Sequence, residues 1–246
     1  MRNISVHALD SKDIEGLRDW LGALPAAPAA VLGTNVAGAA KGAAIEAALA
    51  DSGCAVRWIV PQARAYGLTS RYTRPEQLGA DRWVSMLGVL AAGDASGDGP
   101  FLLATFGTAT TLDTVSRDGV FEGGLILPGP ALMRQSLASG TANLPLADGS
   151  LQDFPTDTHQ AISSGVAAAQ AGAVVRQWLA GVRRYGEAPR VYAAGGGWHE
   201  VEAETRRLLD DAATAMGYVP PSVTMIENPV LNGLAYIAAT TNLGSL

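Results

Sequence analysis

Apolar residues at Ile14, Leu17, Leu21 and Leu24 recur at roughly helical spacing, which predicts a helix over 11–24. Asp10 or Ser11 is its N-cap on this reading, and Pro25 and Pro28 end it. A buried strand over 30–36, a small-residue helix over 39–50 stopped by Gly53, and a second strand over 55–60 follow. Residues 81–92 form the next predicted helix, started by the Gly79-Ala80 turn. The pattern then changes: 101–106, 109–115 and 120–127 are three short apolar runs separated by glycine-containing turns, which predicts a meander. Pro128-Gly129-Pro130 opens a helix to 138, and 158–179 is a long helix. A strand over 191–194 runs into Gly195-Gly196-Gly197, a charged helix covers 200–213, a strand 223–226 and a last helix 229–239.

The second half thus reads βββ, α, α, β, α, β, α, and the first reads α, β, α, β, α with no meander in front. Duplicated α/β folds of the actin, hexokinase and heat-shock-ATPase type repeat a unit that begins with three antiparallel strands. The expected architecture is therefore a duplicated actin-like, hexokinase-like (ribonuclease H-like) ATPase fold, with halves at 1–96 and 97–246. The first half lacks its opening strands, 4–8 being the candidate remnant, and 93–100, GDASGDGP, is the nearest thing to a linker.

Composition narrows the function. The chain has 246 residues, 48% of them hydrophobic, enough for a sizeable core. Its net charge is -6, and Lys12 and Lys41 are its only lysines, so no basic stripe is available for a nucleic-acid backbone. The single Cys54 excludes an internal disulfide, and His7, His159 and His199 show no metal-ligand spacing with it. There is no signal-peptide h-region and no apolar run of membrane-spanning length, so a cytoplasmic protein without membrane partners is expected.

Several segments could carry chemistry. Phe106-Gly107-Thr108-Ala109-Thr110-Thr111 lies at a turn between predicted strands, where glycine lets backbone N–H groups face a phosphate and the threonine hydroxyls add donors. Locally, a hairpin of β-branched residues explains it equally well. In Tyr72-Thr73-Arg74-Pro75-Glu76-Gln77-Leu78-Gly79-Ala80-Asp81-Arg82-Trp83, an aspartate at a helix start could accept the proton of an attacking hydroxyl, and the adjacent arginine could fork onto an anion. A helix cap beside a surface ion pair is the commoner use of such residues. Residues 123–129, GGLILPG, and 193–197, AAGGG, fit neither a P-loop nor a full GxGxxG, so structural turns are the better local reading. Thr158 reads as an N-cap whose hydroxyl could also face a pocket.

Taken together and in this order, these segments resemble type III pantothenate kinases, including the subgroup called Bvg accessory factors. The match spans about 14–239 through YxxPxQLGADRW (72–83), FGTATTLD (106–113), GGLILPG (123–129), TANLP (141–145) and THQAISSG (158–165). The resemblance implies a homodimer that uses ATP and Mg²⁺ to phosphorylate pantothenate, the first step of coenzyme A biosynthesis. It implies that Asp81 is the catalytic proton acceptor and that Tyr72, Gly79, Ala80, Arg82 and Thr158 line the pantothenate site. Gly107 and Thr108 match ATP contacts. No metal-binding residue is assigned.

Two departures from the family pattern matter. Many relatives carry an aspartate before FGT that is associated with a monovalent cation, K⁺ or NH₄⁺; Thr105 is neutral, which argues against a tightly held ion. The family also opens with a strand bearing Asp-x-Gly-Asn that grips the ATP phosphates. No such segment occurs here, since Asp51-Ser52-Gly53-Cys54 follows a helix and lacks the asparagine. The expectation is that the chain as written is inactive or nearly so and prone to aggregate, with a misplaced start codon as the cause. The competing expectation is a non-catalytic dimeric regulatory or interaction protein of the same family.

Overall fold

A computed structural model describes residues 13–28, 30–92 and 99–241. The strand remnant at 4–8, the caps Asp10 and Ser11, and most of the GDASGDGP segment lie outside them. The first elements are α1 (Ile14–Gly22), β1 (Val31–Gly33), α2 (Ala39–Asp51), β2 (Val56–Trp58), β3 (Arg64–Ala65), β4 (Leu68–Ser70) and α3 (Ala80–Ala91). Then come β5 (Phe101–Phe106), β6 (Ala109–Val115), β7 (Val120–Pro128), α4 (Pro130–Gly140) and α5 (Thr158–Tyr185). β8 (Arg190–Ala194), α6 (Trp198–Ala215), β9 (Val223–Met225) and α7 (Pro229–Thr240) complete the order. The chain divides into two compact units, one holding described residues up to 67, 73–92 and from 230 onward, the other 68–72 and 99–229.

In the first unit, α1 is capped by Asp13 and not by the expected Asp10 or Ser11; the Asp13 carboxylate accepts the Gly16 N–H at 2.7 Å. Its buried Leu21 joins Leu49 of α2 and Cys54 in a small core. β1 and β2 pair in parallel around α2, with Val31 opposite Val56 and Gly33 opposite Trp58. α3 is buried on all sides from Arg82 to Val89, as expected of a helix without a polar stripe. α7 packs on it through Gly233, where a methyl group would overlap the Val84 carbonyl.

The second unit is built on a mixed sheet in which six strands run β4-β7-β6-β5-β8-β9. β5, β6 and β7 form the antiparallel meander that the hydrophobic runs predict. β8 then pairs in parallel with β5, and β9 with β8. Three antiparallel strands followed by parallel strands with helices between them is the α/β architecture expected of the second half. Leu102, Ala104 and Phe106 of β5 and Leu112 of β6 point to one face of the sheet, where they meet Trp178 of α5 and Leu209 of α6 in the main core. Trp178 keeps its indole N–H satisfied by donating to the Pro189 carbonyl at 3.0 Å.

Four further local expectations are corrected. β4 was not anticipated: it pairs in parallel with β7, Thr69 opposite Val120, through a contact some 50 residues long in sequence that no local pattern announces. α5 runs past 179 to Tyr185, because Gly186 at φ 68° supplies the left-handed C-cap and Arg183 and Arg184 suit the negative end of the helix. α6 begins at Trp198, two residues before the predicted start. Thr158 is not an N-cap; Asp157 is, accepting the Gln160 N–H at 2.9 Å.

Candidate functional site

Because β5 and β8 are parallel, with Thr105 opposite Ala194, their carboxyl ends open on the same edge of the sheet. This is the edge where α/β sheets receive ligands. The chain leaves β5 through Gly107 and Thr108, both exposed, and returns as β6 with the Gly107 N–H donating to the Ala109 carbonyl at 3.1 Å.

Two further turns close on this one. Gly129, the N-cap of α4, donates its N–H to the Thr108 carbonyl at 2.9 Å, and any side chain on it would collide with the Gly107 and Thr108 carbonyls. Gly195 has φ 92°, and a methyl group there would overlap the Phe106 backbone. The Gly197 N–H donates to the Phe106 carbonyl at 3.0 Å. Local sequence favours plain structural turns for the Gly129 and Gly195 segments; the fold brings both onto the Phe106–Gly107–Thr108 backbone. The N-termini of α4 and α6 therefore start beside the same exposed turn. The positive ends of two helices suit a phosphate there.

Glu200 in the first turn of α6 would oppose such an anion, but Arg134 of α4 forms an ion pair with it. His199 places Nδ1 2.6 Å from the Gly196 carbonyl. Thr105 sits on β5 between Thr111 and Ala194 and is partly buried and neutral.

Thr158, the first residue of α5, is exposed and lines a cavity of about 710 Å³ between α4 and α5, together with Met133, Leu137, Leu144 and Ile162. Tyr72 also belongs to the second unit. Its ring lies 5.3 Å from that of Phe121, and its N–H donates to Ser70 Oγ at 3.2 Å. Beside it, Glu122 of β7 holds Arg71 at 2.9 Å, which anchors the segment that presents Tyr72.

Gly79, Ala80, Asp81 and Arg82 lie in the first unit. The helix cap is Gly79, so Asp81 is not a cap but the second residue of α3, with Oδ1 accepting the Arg82 N–H at 2.8 Å. Arg82 is buried, 6% exposed. Upstream, a hydrogen bond from Arg74 at 2.8 Å holds the Glu76 carboxyl below its ordinary value and braces the turn at Pro75–Gln77.

Sequence reasoning passed over two residues. Asp113 is a carboxylate only 1% exposed in the middle of β6, and the signal was an acid inside an otherwise apolar, β-branched strand. Gln170 is fully buried in α5 and donates to the Pro128 carbonyl. Among the described residues no group of three or more His, Cys, Asp or Glu side chains could hold a metal ion. A Mg²⁺ ion fits this chain as the companion of nucleotide phosphates, which need few protein carboxylates to hold it. Among the same residues, no helix is long and apolar enough to cross a membrane.

A family model described as type III pantothenate kinase matches residues 2–180. The chain is 59% identical over 97% of its length to the type III pantothenate kinase of Bordetella petrii, covering 90% of that protein. It is 58% identical to the one of Bordetella pertussis, over 94% of this chain and 86% of the relative. Among solved structures, MreB5 of Spiroplasma citri bound to ADP is similar with a TM-score of 0.48 and 11% identity, over 94% of this chain and 76% of that one.

Proposed function

The chain belongs to the type III pantothenate kinase family, and from that premise we propose that it transfers the γ-phosphoryl group of ATP to the primary hydroxyl of pantothenate. The product is 4'-phosphopantothenate, which opens coenzyme A synthesis. Asp81 accepts the hydroxyl proton as the new oxygen–phosphorus bond forms and the bond to the β,γ-bridging oxygen breaks, releasing ADP. Arg82, Tyr72, Gly79, Ala80 and Thr158 bind pantothenate, and the Gly107–Thr108 turn holds the ATP phosphates. Mg²⁺, when bound with the nucleotide, neutralises phosphate charge.

Phosphoryl transfer asks for positioning and electrostatics more than covalent chemistry, so one carboxylate and a ring of backbone donors suffice. The observation that carries the reading is the packing of Gly129 and Gly195 against Phe106, Gly107 and Thr108 at the starts of two helices. That arrangement sets the positive ends of two helices, not lysines, toward the phosphates, in keeping with a chain that has only two lysines.

The test is ATP-dependent formation of 4'-phosphopantothenate by the purified 246-residue chain, followed by mass spectrometry, beside Asp81→Asn. Turnover would overturn the expectation that the chain as written is inactive or nearly so, and Asp81→Asn should then lose roughly 10²- to 10⁴-fold in kcat, the usual contribution of a general base. Pantothenate binding without turnover in both proteins supports the non-catalytic alternative. Asp81→Asn turning over like the wild type, or a sugar outcompeting pantothenate, refutes the assignment.

A further inference from the structure

Gln170 is fully buried in α5, in the part of the helix that faces β7 and α4. Burying a primary amide is unfavourable unless its donors and acceptor are used. Its Nε2 donates to the Pro128 carbonyl at 2.8 Å and lies 3.0 Å from Met133 Sδ. The carbonyl can only accept, so the NH₂ must face it, and this sets the amide orientation. Oε1 is then left buried with no hydrogen-bond partner in the structure. A methionine would fill the same space without that orphan acceptor, which offsets the loss of the bond to Pro128, so fold stability gives little net reason for a glutamine here.

Position does give one. Pro128 immediately precedes Gly129, and the Met133 N–H closes the first turn of α4 by donating to the Gly129 carbonyl at 2.9 Å. One side chain thus grips both flanks of the residue that is pressed against the Gly107 and Thr108 carbonyls. Pro128 and Met133 also form a wall of the cavity that Thr158 lines. We infer that Gln170 is a positioning residue for the nucleotide site: it holds the start of α4 against the Gly107–Thr108 turn and keeps the phosphate-facing N–H groups in register. This rests on reading that turn as the ATP-phosphate site.

Gln177 supplies the control. It lies on the same helix and makes a similar cross-element bond, to Thr114 Oγ1 at 2.9 Å, near the far end of β6 from the turn. The experiment is calorimetric titration of Mg·ATP into the full chain, with thermal unfolding of each protein. Gln170→Met should bind ATP roughly five- to tenfold more weakly, the value of one lost positioning hydrogen bond, with no fall in Tm. Gln177→Met should bind within about twofold of the wild type.

Gln170→Glu keeps the shape and can donate to Pro128 only when protonated. Its affinity relative to wild type should therefore recover as pH falls from about 8 to about 6, since burial raises the carboxyl pKa. Gln170→Met binding like the wild type, or Gln177→Met weakening ATP as much, overturns the inference. If Gln170→Met does not fold, a flat Gln170→Glu ratio across that pH range does the same. Failure of the wild type itself to bind ATP removes the nucleotide site and this role together, an outcome distinct from the others.

Discussion

Replacing Gly79 by alanine should slow the chemical step far more than it destabilises the fold. Gly79 has φ -59°, a value any residue accepts, so the substitution brings no backbone strain. A Cβ built there lies 2.7 Å from Asp81 Oδ1, whereas ordinary van der Waals contact begins at 3.4 Å, so the carboxylate must retreat by roughly 0.7 Å. The next nearest atoms, Arg82 Cδ and Cγ at 3.8 and 3.9 Å, are untouched. Retreat weakens the 2.8 Å bond that Asp81 Oδ1 accepts from the Arg82 N–H.

On the stability side, alanine for glycine at an N-cap and this weakened bond together cost about 1–2 kcal/mol, a fall of a few degrees in Tm for a chain of this size. On the catalytic side, misplacing a reacting group by an ångström can cost about 10²-fold, so a shift of roughly 0.7 Å should lower kcat by tenfold or more. Steady-state kinetics with pantothenate as the varied substrate separates the effects. Simple crowding of the substrate would raise KM and leave kcat alone. A Gly79→Ala enzyme with kcat within about twofold of wild type would refute the claim that this glycine makes room for the Asp81 carboxylate.

Burial first, then the nearby Glu122 carboxylate, pushes the Tyr185 phenol from 10.0 up to about 12. Its folded pKa lies above the unfolded one, so the stability it contributes is complete below about pH 10 and is lost as pH rises toward 12. Tyr185→Phe should flatten that alkaline decline in urea titrations, and an unchanged slope would count against the assignment. The neutral Thr105 predicts pantothenate phosphorylation rates in KCl and NaCl that agree within about twofold; a strict K⁺ requirement would show that other ligands build a cation site.

The meander was legible because its signals are local. The runs at 101–106 and 109–115 coincide with β5 and β6, and β7 exceeds its run only by Pro128. β4 was illegible because Leu68–Ser70 is too short to show alternation and is held by a distant partner. The missed end of α5 had a readable marker, a glycine after two arginines, that the fading apolar spacing obscured. The same division runs through the candidate site. Gly107 and Thr108 stood out inside one motif. The meaning of Gly129 and Gly195 lay in which carbonyls they approach, a fact of strand pairing, and Gln170 is a lone polar residue amid small ones with no motif to flag it.

The position of β8 next to β5 has a consequence during synthesis. The hairpins β5-β6 and β6-β7 join residues close in the chain and can pair as soon as they leave the ribosome. The bond register between Leu102 and Val191 must wait for closure of a roughly 90-residue loop. Leu209 and Ala213 of α6, which complete the core over Leu102, Phe106 and Leu112, emerge later still. Until then the nascent meander offers an open β-edge and an apolar face to solvent. A translational pause or truncation before about residue 190 should therefore give a species that chaperones retain, whereas release after the end of α6 should not.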